Sequence, residues 1–105
     1  PSSINTLSDG STITPSFTGA IHHAVTLGGN RTLSHGNTSS AIGQCGSIFI
    51  IQDGTGSRTL SFNSAYKFAG GTAPTLSTAA NAVDRIDYIV RASSVIHCAF
   101  TADVK

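Results

Sequence analysis

The run Gly46-Ser47-Ile48-Phe49-Ile50-Ile51-Gln52, followed at once by Asp53-Gly54-Thr55-Gly56, decides the fold. Ile48, Phe49, Ile50 and Ile51 are apolar in succession, so both faces of an extended chain would be apolar there. Such a strand belongs in the middle of a sheet. The Asp-Gly and Thr-Gly steps after it read as a hairpin-type turn. That turn leads into a second strand over Arg58-Thr59-Leu60-Ser61-Phe62.

Outward from this pair, the same grammar repeats. Upstream, Ser11-Thr12-Ile13-Thr14 follows the turn signal Asp9-Gly10 and stops at Pro15. Ala20 to Leu27 is a strand ended by Gly28-Gly29-Asn30, and Arg31-Thr32-Leu33 is a short one. His35 to Gln44 is a polar loop. Downstream, Asn63 to Ala82 is irregular and long enough that packing must order part of it. Val83 to Arg91 then alternates: Ile86, Tyr88 and Val90 point one way, and Arg85, Asp87, Ile89 and Arg91 the other. Ser93-Ser94 turns the chain into Val95 to Thr101, with Ile96, Cys98 and Phe100 opposite His97. Gly29-Asn30-Arg31-Thr32-Leu33-Ser34 echoes Gly56-Ser57-Arg58-Thr59-Leu60-Ser61, which reads as two similar hairpin entries. Two copies do not make a solenoid.

Short strands separated by Gly-rich turns predict one all-β domain over residues 1–105, a sandwich or barrel. Composition agrees. The 105 residues contain no Met or Trp, and all five acidic residues are Asp. Charged residues are 10% against 39% hydrophobic, where about 25% charged is usual. A surface so poor in charge suits a chain covered by neighbours. With a net charge of +1 and no basic stripe, a nucleic-acid partner is not expected. No apolar run reaches the roughly 20 residues that span a bilayer, so no membrane partner is expected. Pro1 is what remains after an initiator Met is trimmed, and the chain is read as a complete short protein.

The residues that might carry chemistry are few. Serine-hydrolase elbow, Walker, zinc-protease and C-x-x-C motifs are missing, and no enzyme is expected. Asp84 and Asp87 are three apart, so a strand points them to opposite faces, solvated or paired with Arg85 and Arg91. His22-His23 faces opposite ways too, and no metal or other cofactor is expected within one subunit; one of the pair repeated about a trimer axis is the alternative. Asp53 to Gly56 offers one carboxylate, a poor calcium site and a good turn. The glycosylation-type triplets Asn30-Arg31-Thr32 and Asn37-Thr38-Ser39 arise easily in a Ser/Thr-rich chain. Cys45 and Cys98 are either two buried free thiols or a bridge.

The block Gln52-Asp53-Gly54-Thr55-Gly56-Ser57-Arg58-Thr59-Leu60-Ser61-Phe62, with Tyr66 to Ser77 and Ala79 to Asp84 behind it, resembles a small domain recurring in tailed-phage structural proteins. Asp9 to Ile13 and Val25 to Leu33 match it as well. The resemblance spans nearly the whole chain. It implies a virion location on the particle surface, a β-sandwich and homotrimers, but no single task. Cys45 and Cys98 depart from its usual pattern. The combined expectation is an antiparallel, jelly-roll-like, trimeric β-sandwich.

Within that frame the first reading is a capsid decoration protein. It would bind the major capsid protein or other virion proteins and stabilise the assembled head by mass action. A short chain without a shaft favours it. The alternative is a fibre or spike tip, whose loops His35 to Gln44 and Asn63 to Ala82 would contact a host-surface glycan.

Overall fold

In a computed structural model that describes residues 3–105, the strands are β1 (Ile4–Thr6), β2 (Thr12–Ile13), β3 (His22–Leu27), β4 (Arg31–Leu33), β5 (Cys45–Gln52), β6 (Leu60–Phe62), β7 (Tyr66–Phe68), β8 (Val83–Ala92) and β9 (Val95–Thr101). One turn of 3-10 helix, Ala69–Gly71, follows β7. The reading of Pro1 as a trimmed start lies outside the described residues. The expected all-β class holds, and seven of the nine strands fall close to where alternation and turn residues place them; β1 and β7 form where no strand is expected, β7 inside the stretch Asn63 to Ala82 read as irregular. No helix among the described residues is long and apolar enough to cross a membrane.

Two sheets form, in the orders β1-β3-β5-β8-β9-β7 and β2-β4-β6. The first six strands alternate between them. Within each sheet the successive strands run parallel: β1 with β3, β3 with β5, β2 with β4, and β4 with β6. Residues 4–62 therefore wind as three coils of a parallel solenoid, each coil giving one strand to each sheet. Only β5–β8 and β8–β9 are antiparallel.

This corrects the antiparallel, jelly-roll-like expectation: the sheet is mixed. The physical reason lies at Asp53. The turn after β5 is tight, as expected, but it is a corner between sheets and not a hairpin. Asp53 Oδ1 accepts the N–H groups of Thr55 and Gly56, and Gly56 takes the left-handed φ of 74° that glycine tolerates. A Cβ on Gly56 would meet the Thr78 carbonyl at 2.6 Å. The chain thus leaves β5 sideways and enters β6, which pairs with β4 instead of β5. The echo of Arg31-Thr32-Leu33 in Arg58-Thr59-Leu60 marks two neighbouring coils at this corner. Asn30 Oδ1 accepts the Thr59 N–H across the coils at 3.0 Å.

The core lies between the sheets. His23, Val25 and Leu27 of β3, Ile48, Ile50 and Gln52 of β5, and Asp84, Ile86, Tyr88 and Val90 of β8 are buried on one face. Ile13, Leu33 and Leu60 meet them from the smaller sheet. The central place predicted for β5 is borne out: it lies between β3 and β8. The two ends of the solenoid differ. Beyond β6, the stretch after β7 closes the core with Leu76, while Phe62 stacks edge-on against Tyr66 and Phe68. At the first coil, the outer edges of β1 and β2 stand unpaired among the described residues, around a polar cavity of about 360 Å³ lined by Asn5, Thr6, Leu7, Ser8, Thr12, Thr14 and Ser16.

Candidate functional site

The register of the large sheet builds a polar cluster on its outer face. His22 lies across from Ile4, Ser47 across from Asp87, and Phe49 across from both Ala24 and Arg85. Side chains alternate across a pleated sheet. One transverse row therefore reads Ile4, His22, Ser47, Asp87, and the next reads Thr6, Ala24, Phe49, Arg85. Both rows point away from the core.

Within these rows the side chains bond to one another. Ser47 Oγ donates to Asp87 Oδ1 at 2.6 Å, and Arg85 Nε donates to the same oxygen at 2.8 Å. The Ser47 N–H donates to His22 Nδ1 at 3.2 Å, which turns Nε2 outward. The Arg85 guanidinium carbon lies 5.9 Å from the Phe49 ring centroid, a cation–π contact. Partial burial pushes the Asp87 carboxyl up, but the Ser47 hydroxyl and the Arg85 guanidinium outweigh it and hold it below its ordinary value. The pair stays wet: side-chain exposure is 45% for Arg85 and 43% for Asp87, so its contribution to stability is small. Between the rows lies a cavity of about 410 Å³ lined by Ser3, Ile4, His22, Ser47, Phe49 and Arg85.

Serine, histidine and aspartate meet here, but not as a nucleophile relay. The Ser47 proton points to the Asp87 carboxylate, and His22 Nδ1 is occupied by a backbone N–H, so the imidazole does not face the hydroxyl. What the arrangement can do is bind: it offers an apolar floor and a few fixed polar groups.

The other residues singled out from sequence disperse. His22 and His23 do face opposite ways. His23 is buried, edge-on to Phe17, with Nδ1 3.3 Å from Asn5 Nδ2 and Nε2 without a partner among the described residues. Burial lowers its pKa. His35 Nδ1 contacts the Gly36 carbonyl, and Arg91 donates to His97. No group of three metal-ligating side chains occurs among the described residues. Asn37 shapes a local turn with Ser39 and Ser40.

Cys45 and Cys98 are free thiols. Cys45 stands opposite Ile89 and is exposed; Cys98 stands opposite Tyr88 and packs against the core. They lie on opposite faces, with β8 between their strands, which no bridge within one chain spans. Burial pushes the Cys98 thiol up to about 12.

Asp84 and Asp87 also face opposite ways, and Asp87 is paired as expected. Asp84 is not solvated: it is 2% exposed and accepts the N–H groups of Ser77 and Asp103. Sequence reading missed this role, that of Gln52, and the outer cluster itself. Ser47 and Asp87 are far apart in the chain, and only the β5–β8 register brings them together.

A family model described as "Putative phage tail fibre C-terminal domain" matches residues 13–91, from the last residue of β2 to the last but one of β8. No curated protein and no solved structure matches the chain.

Proposed function

The chain belongs to the phage tail fibre C-terminal domain family, and from that premise we propose that it is the non-enzymatic terminal module of a tail fibre on the virion. The observation that carries this reading is the family match over residues 13–91, which takes in most of the solenoid and the central strands of the large sheet. The difference between the solenoid ends supports it. Solenoids need their terminal coils closed. Here β5 of the last coil is covered by β8 and Leu76 is buried beyond β6, whereas both strands of the first coil, β1 and β2, are edge strands. A terminal module has that polarity, with the rest of the fibre at the open coil.

Low charge density and exposed apolar residues such as Ile42 and Val104 favour a surface covered in part by copies of itself, and a homotrimer about the fibre axis is the assembly we favour. The same features suit a decoration protein seated on the head, so they do not separate the two readings. The family match favours the fibre.

Immunogold labelling of intact particles against this chain tests the proposal. Label at the distal ends of the tail fibres is expected. Label spread over the head shell would overturn the fibre reading and support decoration.

A further inference from the structure

We infer that the outer face of the large sheet, at Phe49, Arg85, Ser47 and His22, is a binding site for a neutral hexopyranose. Its biological sense rests on the fibre reading, since a fibre tip meets host-surface glycans. The binding itself does not, and it can be measured on the isolated chain.

Three observations point to this ligand class. The first is shape: the cavity is about 410 Å³, within the roughly 300–1,000 Å³ of small-molecule sites. Its apolar lining is Ile4 and the half-buried Phe49 ring, against which the C–H face of a pyranose can pack beside the Arg85 guanidinium. The second is the set of free polar groups. Arg85 commits Nε to Asp87 and leaves its terminal nitrogens as donors; His22 turns Nε2 outward; Ser47 gives its proton to Asp87 and keeps lone pairs as acceptors. Fixed donors and acceptors around an apolar floor match vicinal hydroxyls. The third is charge. The Arg85 cation is paired with the Asp87 carboxylate at 2.8 Å, so the site has no formal excess of either sign from these two groups. Asp87 offsets the one cation of the lining, which leaves no net charge to select an acidic sugar or a phosphate, and a metal ion would meet the Arg85 cation. Asp87 itself is a positioning residue: it holds Ser47 and Arg85 and does not line the cavity.

The rigidity of the site has a structural source. Ser47 and Phe49 lie on the central strand β5, and Arg85 and Asp87 on its antiparallel neighbour β8. Sites on strands are held more precisely than sites on loops. This moves glycan contact from the loops His35 to Gln44 and Asn63 to Ala82 to the sheet face.

The test is an amide NMR titration of the whole chain with methyl glucopyranoside, methyl galactopyranoside and methyl mannopyranoside, and with methyl glucuronide as the charged control. The expected result is weak binding of at least one neutral sugar, with shifts confined to Ile4, His22, Ser47, Phe49, Arg85 and their neighbours. Arg85→Ala should weaken it roughly tenfold or more, since a hydrogen bond from a charged group is lost. Phe49→Leu should weaken it too while preserving an apolar side chain. Asp87→Asn leaves Arg85 unpaired and should turn the preference toward the glucuronide. Absence of shifts, shifts elsewhere, a wild-type preference for the glucuronide, or a second copy of the chain covering the face would overturn the inference. None of these results bears on where the protein sits on the particle, which the labelling experiment decides separately.

Discussion

A few residues hold positions where substitution is costly. Gly46 is one: a Cβ there would collide with the Ile21 carbonyl, which also accepts the Tyr88 hydroxyl. Gly46→Ala should destabilise by about 1–3 kcal/mol, the usual cost of overpacking, read as a lower urea midpoint. Gln52 is another. Its buried amide donates to the Arg58 and Ser77 carbonyls and accepts the Arg58 N–H, tying the corner after β5 to the end of the solenoid. Gln52→Ala leaves these groups unsatisfied and should cost about 2–4 kcal/mol by the same measurement. His23 gives a pH dependence. Because burial lowers its pKa below the ordinary 6.5, the unfolded chain takes up a proton that the folded chain resists. Stability is complete above about pH 6.5 and falls as pH drops toward the depressed folded value. Urea midpoints between about pH 7 and 5 should show this fall in the wild type and a flatter profile in His23→Leu. The carboxylates Asp9 and Asp53, held low by Arg31 and Arg58, act only at lower pH, where their protonation removes stability. For the thiols, iodoacetamide on the native chain should label Cys45 and spare Cys98, and mass spectrometry of the peptides reads the result.

At the level of strands, the positions and faces of all but β1 and β7 were legible, and their partners were not. Alternation over Val83 to Arg91 placed Ile86, Tyr88 and Val90 on one face, and those residues are buried. The apolar run at Ile48 to Ile51 placed β5 in the middle of its sheet. Alternation has a period of two whichever way the neighbour runs, so it cannot distinguish a parallel partner from an antiparallel one. Asp53-Gly54-Thr55-Gly56 has the composition of a hairpin, yet Asp53, Gln52 and Gly56 bend it into a corner. The repeat of Arg-Thr-Leu, only two copies and so no solenoid signal by itself, marks adjacent coils. Ser47, Asp87 and Arg85 were visible as residues but not as a cluster, because the cluster depends on a pairing distant in sequence. The coil order predicts unequal opening. In hydrogen exchange, amides of Thr6, Ser8, Thr12 and Thr14 at the unpaired first coil should exchange fastest among strand and near-strand positions. Those of Ile48, Ile50 and Ile86 should be slowest. Uniform protection would contradict a solenoid with one open end.

The molecule is a short parallel solenoid over residues 4–62, followed by the antiparallel strands β8 and β9 of the large sheet, with one end of the solenoid covered by its own chain and the other open. On the fibre reading proposed above, these features give the chain a direction: the open coil faces the particle, the end around Leu76 points outward, and the outer sheet face is displayed to the host surface. A cryo-electron-microscopy reconstruction of the fibre on intact particles tests this most directly. The account predicts density for this domain at the distal end of the fibre, with β1 and β2 against the shaft. Density on the head shell, or a domain whose Leu76 end meets the shaft, would contradict it.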